Sequence, residues 1–182
     1  MAPADIVDFW REAGPTRWYA KDPAFDETIR ERFEAIHHAA ARGEFAAWAD
    51  SAEGALALLI LLDQFPRNLY RDSAHAFATD GLARRIATEA IAQGHDRAVD
   101  PMLREFFYMP LVHGEDLAEQ DRAVALFRAV GQERGDAEAD KWALIHREIV
   151  ARFGRFPHRN AALGRTTTAA ERAFLDGGGF AG

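Results

Sequence analysis

From Ala55 to Leu62 the chain reads ALALLILL, an unbroken apolar run. A helix that is apolar on every side has to be enclosed by other elements, and this run falls well short of the about 20 residues that a bilayer crossing needs. It predicts a central core helix with other helices wrapped around it. Asp50, with Glu53 three residues on, supplies a start signal, a carboxylate form of the capping box. Pro66 predicts the end of the helix and pushes Phe65 toward extended geometry. Asp63 and Arg67 follow Leu56, Leu59 and Ile60 at helical spacing. They therefore project from a face that the core surrounds, where charged groups need partners.

The flanking sequence keeps the helical period. Ala4 to Ala13 brings Ile6, Phe9 and Trp10 together, and Trp18 and Tyr19 follow in a predicted loop. Asp22-Pro23 starts a helix with Phe25, Ile29, Phe33 and Ile36 on one stripe, while His37 and His38 are expected to face partly outward. Asp80 to Gln93 turns Leu82, Ile86 and Ile91 inward. Asp116 to Arg134 is a helix closed by Gly135. Asp136 caps a further helix whose stripe is Trp142, Ile145, His146, Ile149, Val150 and Phe153, stopped by Gly154. Thr168 and Glu171 form a capping box for a last short helix. No alternating run of β-branched residues appears. The expected fold is all-α, about seven to nine helices around the central apolar one, in a single domain over 1–176 with a flexible tail at 177–182.

Composition narrows the function classes. A chain of 182 residues with 48% hydrophobic content is long enough for one full core. A net charge of −7 argues against nucleic acid and against an anionic membrane surface, both of which need a surplus of basic residues. The chain contains no Cys, so disulfides, thiolate metal sites and a Cys nucleophile are excluded. MAPADIVDFW carries acidic residues where a signal peptide would carry basic ones, and a cytoplasmic protein is expected.

FPRN at Phe65 to Asn68 returns as FPHRN at Phe156 to Asn160, each time after a strongly apolar helix. These exits gather the polar side chains that can carry chemistry. Asp63, Gln64, Arg67, Asn68 and Arg71 form one block. His113 and Glu115 form a second, and His146, Arg155, His158, Arg159 and Asn160 a third. Arg67 and Arg159 are suited to grip a carboxylate or phosphate, and Trp18 to wall the site. His113 with Glu115, or His146, is the candidate proton-transfer group for acid/base chemistry such as hydrolysis. The expected ligand is a small anionic molecule. The other reading is an ion-pair network that serves the fold alone, in a helical-repeat module that binds a protein or peptide. His113-Gly-Glu115 matches no standard metal-binding spacing, so no metal or cofactor is assigned.

DQFPRNLYR, AFATD at Ala76 to Asp80, YMPLVHGEDLAEQ at Tyr108 to Gln120 and FGRFPHRNAALGRTTTAAE at Phe153 to Glu171 occur in that order along the chain. In these blocks the sequence resembles the bacterial domain of unknown function 924 family. The resemblance implies an all-helical fold similar to tetratricopeptide-like repeats and brings no substrate or catalytic residue with it. Gly114 stands where the family pattern usually has Ser, which weakens the idea of a serine nucleophile between His113 and Glu115.

Overall fold

A computed structural model of the chain describes residues 1–180. The described chain is helical with no strand, as the periodicity predicts. It divides into two compact units, Met1–Arg71 with His75–Pro110 and Asp72–Ala74 with Leu111–Gly182. Among the described residues, no helix is long and apolar enough to cross a membrane.

The first unit is built on α1 (Pro3–Ala13), α2 (Pro15–Trp18), α3 (Pro23–Ala41), α4 (Ala52–Leu59), α5 (Phe65–Leu69) and α6 (Asp80–Ala92). Ala55 to Leu62 is buried throughout, so the apolar run is the core element it was expected to be. Ser51, not Asp50, caps α4, its hydroxyl accepting the Gly54 N–H at 3.2 Å. The hydroxyl one position closer to the helix reaches that amide. Trp18 lies in α2 rather than a loop, because Pro15 starts a helical turn; its indole N–H donates to the Trp10 carbonyl at 2.7 Å. The α3 stripe runs Phe25, Ile29, Phe33 and then His37, all buried, so His37 faces inward and not outward. On α6 the buried residues are Asp80, Ala83, Ala87 and Ala90, while Leu82, Ile86 and Ile91 are half-buried. Small side chains on that face let the backbones of α4 and α6 approach closely.

The helix does not end at Pro66. Ile60–Gln64 forms a π-helical turn, with the Phe65 N–H donating to the Ile60 carbonyl, and α5 follows directly with Pro66 at its start. Phe65 is helical (φ −57°, ψ −37°), not extended. A π turn shifts the ladder by one residue, so the proline lands in a first turn, where its missing N–H is tolerated.

The second unit carries α8 (Leu117–Arg134), α9 (Lys141–Phe153) and α10 (Ala169–Asp176), preceded by the short α7 (Met109–Val112) at the junction of the units. Asp116 caps α8 and Thr168 forms its expected box with Glu171 on α10. The start of α9 lies later than Asp136: that side chain accepts the Glu138 N–H in a turn, and Asp140 precedes the helix. Trp142, in the first turn of α9, is 62% exposed rather than part of the stripe, while Ile149 and Val150 pack with Phe156.

Candidate functional site

The π turn explains the chemistry around the first FPRN segment. Pro66 has no N–H to offer the carbonyl of Leu62, four residues back, or of Leu61, five back. Both are buried and both receive side-chain donors instead. Thr79 Oγ1 donates to the Leu62 carbonyl at 2.6 Å, and His37 Nδ1 donates to that of Leu61 at 2.8 Å. Burial lowers the His37 pKa and keeps the ring neutral, with the Leu61 bond acting in the opposite sense. Arg67 donates to the carbonyl of Asp63, completing three neighbouring carbonyls served by side chains.

Arg67 also makes a two-pronged pair with Asp80, both bonds 3.1 Å, and lies 3.4 Å from the carboxylate of the fully buried Asp63. Gln64 donates to Asp63 at 2.6 Å. Burial works against the charge on Arg67, and Asp63 and Asp80 more than offset it, so the guanidinium holds its proton more firmly than usual. Asn68 and Arg71 turn to α3, where Asp26 accepts from Asn68 at 2.8 Å and from Arg71 at 2.6 and 2.9 Å. Trp18 lies within the aromatic core, its ring centroid 4.9 Å from that of Phe106.

In the second unit, Gly154 (φ 68°) ends α9 and the FPHRN segment follows as a 3-10 turn over Pro157–Arg159. Phe156 is fully buried, its N–H donates to Glu115 at 2.8 Å, and its carbonyl accepts from Arg165 at 3.0 Å. Arg165 grips Glu115 with bonds of 2.7 and 3.1 Å. Burial alone would raise the Glu115 pKa. The bonds from Arg165 and the Phe156 N–H, with the charges of Arg165 and Arg159, hold it below the usual carboxylate range. Glu115 is thus a fixed anion that ties the FPHRN turn to the His113 segment.

Arg159 donates to the His113 carbonyl at 3.0 Å and stacks over the Phe156 ring, 4.5 Å from its centroid. Gln120, fully buried, fixes the same turn by donating to the carbonyls of Val112 and Gly114 at 2.6 and 2.7 Å. Arg155 and Asn160 meet at Glu171, Arg155 with bonds of 2.6 and 2.9 Å and Asn160 at 3.3 Å. The Arg155 bonds, then the Thr168 N–H, hold the Glu171 pKa down to about 2. His146 Nδ1 donates to the Trp142 carbonyl at 2.7 Å, and its ring stands 5.5 Å from that of Phe156. His158 Nδ1 is buried with no hydrogen-bond partner among the described residues. Burial, then the charge of Arg159, then His146, push the His158 pKa down to about 3, with His113 acting in the same direction. Among the described residues no three His, Cys, Asp or Glu side chains stand where they would hold a metal ion.

The partners Asp26, His37, Thr79, Asp80, Arg165 and Glu171 were not among the predicted site residues. The proline in an otherwise helical run was the available signal for His37 and Thr79, since it leaves carbonyls that need donors.

These two segments lie inside a family-wide match. The model of a bacterial protein family of unknown function, DUF924, matches residues 6–179. The chain belongs to the DUF924 family. A solved structure, that of the protein of unknown function ATU0120 from Agrobacterium tumefaciens, is 52% identical, covers 96% of this chain and 97% of its own, and superposes with a TM-score of 0.91. A comparison with curated proteins finds no match. The DUF924 match spans both FPRN-type segments, and the Agrobacterium protein shares the helical fold.

Proposed function

We propose that the second unit of this DUF924 protein carries a binding site for a small anion, a carboxylate or phosphate, formed by His158, Arg159 and Asn160 with His113 and His146 close by. The observation that carries this reading is His158 Nδ1, buried beside a guanidinium and unpartnered among the described residues. Buried polar atoms without partners are rare and call for a ligand or another explanation. An anion arriving here would offset the field of Arg159, favour protonation of His158 and turn its ring nitrogens into donors. His113 and His146 are the groups assigned to proton transfer, as in a hydrolysis. Glu115 acts through the turn it anchors, and Arg155 through Glu171.

A specific observation favours a different role for Asp63, Gln64, Arg67, Asn68, Arg71 and Trp18. Their polar groups are engaged with Asp80, Asp26 and backbone carbonyls, which supports an ion-pair network that maintains the first unit.

The anion reading is tested by thermal unfolding with phosphate, acetate and other small carboxylates, comparing the wild type with His158→Phe. A ligand at 100 times its dissociation constant adds about 2.7 kcal/mol of stability. Proton uptake on binding makes the shift larger at pH 6 than at pH 8. The shift should vanish in the variant; a shift that persists there, or no shift with any anion, refutes the site.

A further inference from the structure

The last helix delivers an aromatic ring to the same histidines. After α10 the Gly177, Gly178 and Gly179 amides donate to the carbonyls of Ala173, Leu175 and Phe174 at 3.1, 3.1 and 2.9 Å. Gly178 sits at φ +79°, and a Cβ on Gly179 would lie 2.5 Å from the Phe174 ring, so only glycines allow this close return. The return brings Phe180 against His146, 4.6 Å between centroids, and against His158, 5.4 Å away, with Trp142 at 6.4 Å. Phe180 also packs on the Ile149, Val150 and Phe156 cluster. It also lines a cleft of about 190 Å³ together with Ile145, Glu148, Ile149, Arg152, Phe153 and Phe174. The ring therefore borders both this cleft and two imidazoles, one of which has a buried nitrogen without a partner among the described residues.

We propose that the slot occupied by Phe180 is the seat for the planar part of an aromatic carboxylate, and that Phe180 is an intramolecular stand-in for it. The inference rests on the anion site above and assigns its ligand class. Three features favour an aromatic group over an aliphatic one. The rings of Trp142, His146 and His158 accept stacked or edge-on partners, the slot already holds a phenyl group, and Arg152 places its guanidinium over the Phe153 ring at 4.7 Å beside the cleft. The carboxylate of a ligand seated this way would point toward His158 and Arg159. With Phe180 in place the slot is closed to outside rings; with the ring withdrawn, cleft and histidines become one cavity.

The test titrates the full chain with benzoate and with acetate by calorimetry, in the wild type, in Phe180→Ala and in Phe180→Trp. Thermal unfolding confirms that each variant is folded. Phe180→Ala should bind benzoate about tenfold tighter than the wild type or better, with acetate unchanged. Phe180→Trp, which keeps the slot filled, should not gain. Acetate binding that depends on His158, with benzoate no tighter in Phe180→Ala, overturns the aromatic assignment and leaves the anion site standing. Absence of binding by both anions in every variant overturns both.

Discussion

The two FPRN-type segments share residue types and a position after an apolar helix, but they are held by opposite means. In the first, the helix runs through the proline by way of a π turn, and the arginine is surrounded by acids, with Asp80 and Asp63 both within 3.4 Å. In the second, the helix stops at Gly154 and the proline opens a 3-10 turn. There Arg159 lies on an aromatic face and a backbone carbonyl, while the acids Glu115 and Glu171 are taken by Arg165 and Arg155. One motif therefore sets its arginine between two aspartates, and the other sets it against a ring and a carbonyl, next to a histidine whose Nδ1 has no partner among the described residues. The motif fixes the buried phenylalanine and the turn; the surrounding acids decide what the arginine does.

The contrast is broken most directly at Arg67. Arg67→Ala leaves the carboxylates of Asp63 and Asp80 in one buried cluster without the guanidinium between them, and should lower stability by about 3–5 kcal/mol. Asp80→Ala leaves Arg67 beside Asp63 and should cost less. Urea unfolding of both variants measures the difference. A loss under about 1 kcal/mol for Arg67→Ala would show that the arginine is held for a ligand instead.

The second segment is tested at Glu171, which is nearly fully buried and accepts from Arg155, Asn160 and the Thr168 N–H. Glu171→Gln weakens charge-assisted bonds and should lower stability near neutral pH. Its folded pKa of about 2 lies below the ordinary value of 4.5, so this stability is present above pH 4.5 and is lost as the pH falls toward 2. The gap between wild type and variant should narrow across that window, followed by unfolding at stepped pH. A gap that stays constant would mean that the glutamate acts by shape rather than by charge.

What could be read in advance follows the range of the forces involved. The burial of Ala55 to Leu62, the caps at Asp22, Asp116 and Thr168 and the stop at Gly154 follow from local patterns, and each is as expected. His37 was misplaced because Phe25, Ile29 and Phe33 allow the stripe to continue at either 36 or 37, and the demand of the Leu61 carbonyl settles it. The inward face of α6 was misplaced because alanines gain from close backbone approach and not from their own hydrophobicity. At the candidate site the blocks themselves were visible. Their partners were not, since Asp26 and Arg71 are 45 residues apart and Glu115 and Arg165 are 50 apart, with no local pattern linking them.

The smallest effect tests the π turn itself. Thr79→Val removes the hydroxyl that serves the Leu62 carbonyl, and a buried carbonyl left without its donor should cost about 1–2 kcal/mol. Pro66→Ala restores an N–H within reach of the same carbonyl if the ladder reverts to α-helical spacing. Proline also restricts the unfolded chain by about 0.4–1 kcal/mol, so the single variant should be close to neutral. In the Pro66→Ala background, Thr79→Val should then cost less than in the wild type, with a coupling of about 1 kcal/mol in a double-mutant cycle. Additive losses would mean that the π turn is imposed by the packing of Ile60 to Leu62 and not by the proline. The same substitution at Pro157 has no such coupling to show, because the helix before it has already ended at Gly154.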